Sequence, residues 1–262
     1  MTRIEKKFRY LRENNQKALI TYITAGDPDL GVTKQLVLEM EKQGADIVEI
    51  GIPYSDPVAD GPVIQRAAQR ALSKKMKIKD IMNVVRELRE QTQVPLLYLV
   101  YFNCIFQYGV EKFISDCAKV GIDGLIIPDL PYEESMDVRE IGMQYDVNII
   151  PLIAPTSSGR IKKIVQNAKG FIYCISSTGV TGVRSDFRTD LLAFMNEIDK
   201  YTDIPKAIGF GISSPEHIRE LKHFCDGLIV GSAIVKIVEK YKDSDELTGR
   251  IGNFVKELKE AL

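Results

Sequence analysis

Short, continuously apolar runs alternate with longer stretches of helical periodicity along the whole chain. Eight of the runs read as buried strands, at 18–24, 47–51, 95–101, 124–128, 148–153, 171–176, 205–209 and 227–231. The pattern between them predicts helices over 32–43, 78–91, 110–120, 132–145, 159–167, 189–201 and 215–223. A short helix is expected near Ala233, a closing one over 246–261, and an extra one over 2–13 ahead of the first strand. Strands apolar on both faces belong to parallel sheets covered by helices. Eight β/α units suit a closed (β/α)8 barrel better than an open doubly wound sheet. Three echoes, Gly44-Ala-Asp46, Gly121-Ile-Asp123 and Cys225-Asp226-Gly227, each open a strand after a helix, as repetition of one unit would. No composition shift marks a boundary, so residues 1–262 read as a single TIM (β/α)8 barrel domain with an extra N-terminal helix.

Charge and composition narrow the function. The 35 basic and 36 acidic residues give a net charge of −1, which excludes the strongly basic footprint of a nucleic-acid binder. The 45% hydrophobic content suffices for a sizeable core. No apolar run approaches the roughly 18 residues of a membrane span. Residues 1–7 carry no apolar stretch of the kind a secretory signal needs. Cys104, Cys117, Cys174 and Cys225 lie far apart with no Cys-x-x-Cys pair, a pattern of reduced thiols in a cytoplasmic protein. His217 and His223 read as surface positions on the seventh helix rather than as metal ligands.

In such a barrel, chemistry belongs at the carboxyl ends of the strands and in the loops after them. Glu49 sits within the second apolar strand, between Val48 and Ile50. A carboxylate there costs several kcal/mol unless it is paired, solvated or protonated, which leaves either a catalytic group or a buried ion pair. Asp60 follows in the loop Pro53-Tyr-Ser-Asp-Pro-Val-Ala-Asp-Gly-Pro62, which overhangs the same strand end. Two carboxyl groups sharing a pocket divide acid and base roles when their surroundings separate their pKa values. Asp56 in that loop is read as a turn or surface residue.

A second constellation is built from glycine. Ser176 to Arg184 follow the sixth strand, Gly209-Phe-Gly-Ile-Ser213 the seventh, and Gly231-Ser232-Ala233 the eighth at a helix start. Glycine lets backbone N–H groups approach an anion, and a helix N-terminus adds a favourable dipole. Tight turns are the competing reading; three such loops on adjacent strands favour a phosphate site. Tyr22, Tyr101 and Tyr173 at strand ends line a pocket for a flat apolar substrate or pack in the core.

The segment Val48-Glu-Ile-Gly-Ile-Pro-Tyr-Ser-Asp-Pro-Val-Ala-Asp-Gly61 resembles the signature of the tryptophan synthase α subunit family. So do Ile126-Ile-Pro-Asp-Leu-Pro131, Ser177 to Arg184, and Gly209 to Ser213, and the resemblance spans essentially the whole chain. It implies a lyase of tryptophan biosynthesis that cleaves indole-3-glycerol phosphate to indole and D-glyceraldehyde 3-phosphate. It also implies no cofactor in this chain and a pyridoxal-phosphate-dependent β partner in an αββα heterotetramer. By the same resemblance Glu49 transfers protons and Asp60 binds the indole N–H and stabilises a cationic intermediate. Tyr22, Tyr101, Tyr173, Thr181 and Phe210 become substrate contacts, and Gly182, Gly211, Gly231 and Ser232 phosphate contacts. Tyr22 stands where many members carry phenylalanine. Two other readings stay open: a ring-closing barrel like indoleglycerol phosphate synthase, which would favour a strand-end lysine, and a barrel that binds without catalysing.

The loop from Thr178 to Asp186 holds Gly179 and Gly182 and no strong apolar anchor, and is expected to act as a lid over the site. Trypsin should therefore cut the free protein early at Arg184 or Arg188, and glycerol 3-phosphate should slow that cut. Cleavage unchanged at saturating ligand would remove the lid from the mechanism.

Overall fold

The computed structural model describes residues 1–175, 185–209 and 211–262, with Ser158 and residues 185–189 described by main chain alone. Among these, nine parallel strand segments form one sheet. They are β1 (Ala18–Thr24), β2 (Ile47–Gly51), β3 (Leu96–Leu99), β4 (Gly124–Ile126), β5 (Asn148–Ile149), β6 (Leu152–Ile153), β7 (Ile172–Ile175), β8 (Lys206–Gly209) and β9 (Gly227–Val230). Their order in the sheet is β5-β4-β3-β2-β1-β9-β8-β7-β6.

The fifth predicted strand, 148–153, is split because Pro151 has no N–H to give a ladder. Its first half pairs with β4 and its second with β7. Ile150 N donates to Leu125 O, and Tyr173 N donates to Pro151 O, both at 2.9 Å. One stretch of chain thus joins both edges of the sheet, and the barrel closes with eight strand positions. The structure is the expected (β/α)8 barrel.

The described helices are α1 (Arg3–Glu13), α2 (Leu30–Lys42), α3 (Pro62–Leu72), α4 (Ile78–Arg89), α5 (Phe102–Tyr108), α6 (Val110–Val120), α7 (Met136–Gln144), α8 (Ile161–Val165), α9 (Ser185–Asp199), α10 (Pro215–Leu221), α11 (Ser232–Tyr241) and α12 (Leu247–Ala261). Three of them, α3, α5 and α8, depart from the periodicity reading. Helix α3 starts on Pro62, whose missing N–H is harmless in a first turn, and buries Ala67, Ala68 and Ala71, which are too small to raise an apolar signal. Helix α5 takes Tyr101 as its N-cap residue, so the third strand stops short of its predicted end. The helix expected over 159–167 is a 3-10 stretch, Pro155–Arg160, followed by the short α8.

Inward residues alternate with outward ones along each strand. Ala18, Ile20, Ile47, Leu97, Ile126, Phe171 and Ile229 fill the barrel interior together with Ile4, Phe8 and Leu11 of α1. Helix α1 is held at its start by a capping box in which Thr2 and Glu5 satisfy each other's backbone N–H groups. It stoppers the amino end of the barrel, leaving the carboxyl end for chemistry.

The three sequence echoes share one structural role. Asp46 accepts from Leu19 N at 2.9 Å, Asp123 from Leu96 N at 2.9 Å, and Asp226 from Lys206 N at 3.0 Å. Each aspartate opens one strand and clamps the start of the strand before it. Cations gather on them: Lys259 at 2.6 Å on Asp46, Arg89 at 2.7 Å and Arg3 at 3.0 Å on Asp123. Asp123→Ala would leave a buried N–H and a largely buried guanidinium unpaired. It should destabilise by about 3 kcal/mol or more, read as a lower urea midpoint, with Asp123→Asn milder. A loss under about 0.5 kcal/mol would show the clamp to be dispensable.

Candidate active site

Glu49 lies in the middle of β2, in register with Tyr22 of β1 and Leu97 of β3, and so points into the barrel. Its side chain is fully buried, and among the described residues neither carboxyl oxygen has a hydrogen-bond partner. The ion-pair alternative for this residue is therefore not realised among the described residues. Desolvation alone pushes its pKa up to about 8. At neutral pH the buried Glu49 is a carboxylic acid.

Asp60 ends the loop between β2 and α3, and the loop is moored rather than loose. Tyr101 hydroxyl accepts from Ala59 N at 3.0 Å and hydrogen-bonds the Asp60 carboxyl group. Tyr54 stacks on Tyr101 with ring centroids 5.2 Å apart, and Asn103 Nδ2 donates to Tyr54 at 3.0 Å. Gln65 holds Asp60 O at 2.8 Å. Burial raises the Asp60 pKa above the usual carboxylate value, and the Tyr101 hydrogen bond works against that rise.

Tyr22 and Tyr173 complete the chamber. Burial raises both phenols, and each also feels the negative charge of both Glu49 and Asp60, which places the four side chains around one space. Tyr22 hydroxyl lies 3.3 Å from Thr24 Oγ1. Its ring folds over Gly51, where an added Cβ would come within 2.1 Å of the phenolic oxygen. Tyr173 lies over Gly209 in the same way, at 2.5 Å. Gly209, grouped on sequence with the phosphate loop, thus makes room for a tyrosine ring. Neither pairing was legible in the sequence, because each joins residues far apart in the chain.

The glycines of the phosphate reading divide into two kinds. Gly211 has φ +74°, a conformation that by itself selects glycine for the turn. Gly231 caps α11 with φ −118°, and a Cβ there would meet only Tyr22, at an ordinary 3.4 Å. Among the described residues neither φ nor a close contact demands glycine at 231. Ser232 is the first residue of α11 and brings its N–H to that helix start. Thr181, Gly182, Phe210 and the expected lid from Thr178 into α9 fall outside the described residues or have only their main chain described. His217, on α10, faces Ser213 N at 3.3 Å from Nδ1 on the surface. Among the described residues no group of three or more His, Cys, Asp or Glu side chains could hold a metal ion, and no helix is long and apolar enough to cross a membrane.

A closed (β/α)8 barrel with a neutral buried glutamate in a strand and an aspartate above it belongs to the enzymes that move protons on a small substrate. Residues 8–262 match the family described as tryptophan synthase alpha chain. The tryptophan synthase alpha chain of Thermoanaerobacter pseudethanolicus is 55% identical over 262 residues, covering all of both chains. That of Clostridium kluyveri is 52% identical over the same span. The crystal structure of tryptophan synthase alpha chain from Legionella pneumophila superposes with a TM-score of 0.91 at 34% identity, over 100% of this chain and 97% of that one. The tryptophan synthase complex from Pyrococcus furiosus gives 0.84 at 32% identity, over 92% of this chain and 97% of that chain. The chain belongs to the tryptophan synthase alpha chain family.

The Glu49 environment makes stability depend on pH. Between the ordinary value of 4.5 and about 8, the unfolded chain has released the Glu49 proton while the folded chain still holds it. Folding stability from this group therefore falls as pH rises through that window. Glu49→Gln, which has no proton to lose, should match the parent in thermal midpoint near pH 4.5 and exceed it increasingly towards pH 8. A pH-independent difference would mean that Glu49 is not held neutral.

Proposed function

We propose that this chain catalyses the α reaction of tryptophan synthase, the retro-aldol cleavage of indole-3-glycerol phosphate to indole and D-glyceraldehyde 3-phosphate in L-tryptophan biosynthesis. The observation that carries this reading is the fully buried, neutral Glu49 facing a chamber that Asp60 overhangs. Cleavage needs a proton on indole C3 and removal of one from the adjacent glycerol hydroxyl. Glu49 starts protonated, so its first act is to deliver its proton to C3. The ring becomes an indolenine-like cation, whose N–H faces the Asp60 carboxylate. Glu49, now charged, takes the hydroxyl proton. The carbon–carbon bond breaks, its electron pair returns to the ring, and Glu49 is left protonated for the next turnover.

Tyr22, Tyr101, Tyr173 and Phe210 hold the flat ring in this reading, and Thr181 closes on Asp60. Gly182, Gly211, Gly231 and Ser232 hold the phosphate through backbone N–H groups. The chain works without a cofactor of its own; pyridoxal phosphate belongs to the β partner of an αββα assembly in the cytoplasm. A partner surface is at hand on the rim of the site. Val58 of the moored loop is 81% exposed and Phe106 of α5 67%, and Asn103 ties the two segments together through Tyr54. The ring-closing alternative finds less support: the one lysine in the described strands, Lys206, opens β8 at the amino end and pairs with Asp199.

Indole release from indole-3-glycerol phosphate, with and without a β subunit, tests the proposal. Glu49→Gln should fall by at least about 10²-fold in kcat. Asp60→Asn should lose turnover with little change in binding of an indole ligand. Gly231→Val should mainly raise KM. Full activity in Glu49→Gln would sink the assignment, and a Gly231→Val effect confined to kcat would remove the phosphate role.

A further inference from the structure

We propose that the groove between α7 and α8, on the outer side of the barrel wall, is a second binding site that takes a small apolar monocarboxylate, with Arg139 as its anion contact. The groove exists because the helical layer is thin at this point. Helix α8 spans only five residues, about 7.5 Å of cover. Beside it Ile149 is left half-buried on the outer face, and across Pro151 the half-buried Leu152 packs with the barrel interior. Two cavities of about 300 and 480 Å³ open in this gap and share Tyr132, Arg139 and Ile149 in their walls.

The smaller, upper cavity has the composition of a ligand site. Pro128, Leu130, Pro151, Leu152 and Ile164 supply apolar walls. Arg139 supplies charge: its guanidinium lies over the Tyr132 ring, 4.9 Å from the centroid, and no carboxylate pairs with it among the described residues. The other charges of this cavity are already engaged. Arg160 holds both oxygens of Glu133 at 3.1 Å, and Asp129 accepts from Phe102 N at 2.8 Å. The lower cavity is flanked by Glu140 and Asp146, which disfavour an anion there. A half-buried guanidinium stacked on a ring keeps its planar fork of donors for one carboxylate, and apolar walls favour an apolar body behind it. A volume of about 300 Å³ limits that body to a compact one. The cavity reaches the barrel wall at Pro151, where Ile150 and Leu152 of the interior cluster form part of its lining, whereas Glu49 lies on β2 and is not among its walls.

Octanoate is the probe, titrated into protein labelled at isoleucine δ-methyl groups and followed by NMR. Saturable shifts are expected at Ile149 and Ile164, with Ile20 and Ile47 inside the barrel unmoved. Octan-1-ol, which lacks the charge, should bind at least about tenfold more weakly to the unaltered protein. Arg139→Gln should weaken octanoate by a similar factor. Arg160→Gln should not, because Arg160 is already neutralised by Glu133. Shifts confined to interior methyls, no saturable shift, or equal binding of octanoate and octan-1-ol would each overturn the proposal. So would undiminished binding by a folded Arg139→Gln variant, and if that variant does not fold, the octan-1-ol comparison decides alone.

Discussion

Among the described residues the carboxyl group of Glu49 is fully buried and meets no cation or hydrogen-bond partner, and its protonation follows from that constraint. Stripped of water, the group is driven towards its neutral form, which a barrel interior of isoleucine, leucine and phenylalanine can hold. A lysine in place of any of these neighbours would restore the charge and spoil the acid. The apolar interior therefore sets the protonation of this side chain as well as supporting the fold. The same burial raises Tyr22 and Tyr173, so these chamber walls stay uncharged at neutral pH.

Asp60 lives under a different regime. It rides on a proline-rich loop, and what fixes its position is Tyr101, which grips the loop backbone through Ala59 and the carboxyl group itself. One acid is held by a strand and starved of partners; the other is held by a hydrogen bond that favours its charged form. That contrast separates the two carboxyl groups in the way a division of acid and counter-ion roles requires.

Much of this was legible in the sequence because barrel strands announce themselves as apolar runs, and a glutamate inside one is conspicuous. The barrel, its plugging helix, Glu49, Asp60 and the three tyrosines all follow from that signal or from the family segment around it. Periodicity missed α3, whose buried face is alanine, and α5, where an apolar run passes from strand into helix without a polar break. It could not see the split at Pro151 as the point where the ring closes, since closure is a relation between β4 and β7. The glycine loops grouped as a phosphate site are also separated by geometry: Gly209 lies under a tyrosine ring, Gly211 turns the chain, and Gly231 stands at a helix start. Arg139 gave no signal at all, because what sets it apart is that no carboxylate pairs with it among the described residues, a relation no spacing reveals.

The aspartate clamps carry a consequence for how such a site arises. In each clamped unit the third residue beyond the aspartate points into the barrel: Ile126 after Asp123, Ile229 after Asp226, and Glu49 after Asp46. The clamp fixes the main chain from below through a backbone N–H and is indifferent to what that inward side chain is. Scaffold and function are thereby written in different letters of the same repeat. One isoleucine can be exchanged for an acid in a single unit while strand register, ring closure and helix cover stay as they were. Evolvability in this barrel rests on that separation, with invention concentrated at one letter and tolerance supplied by the rest.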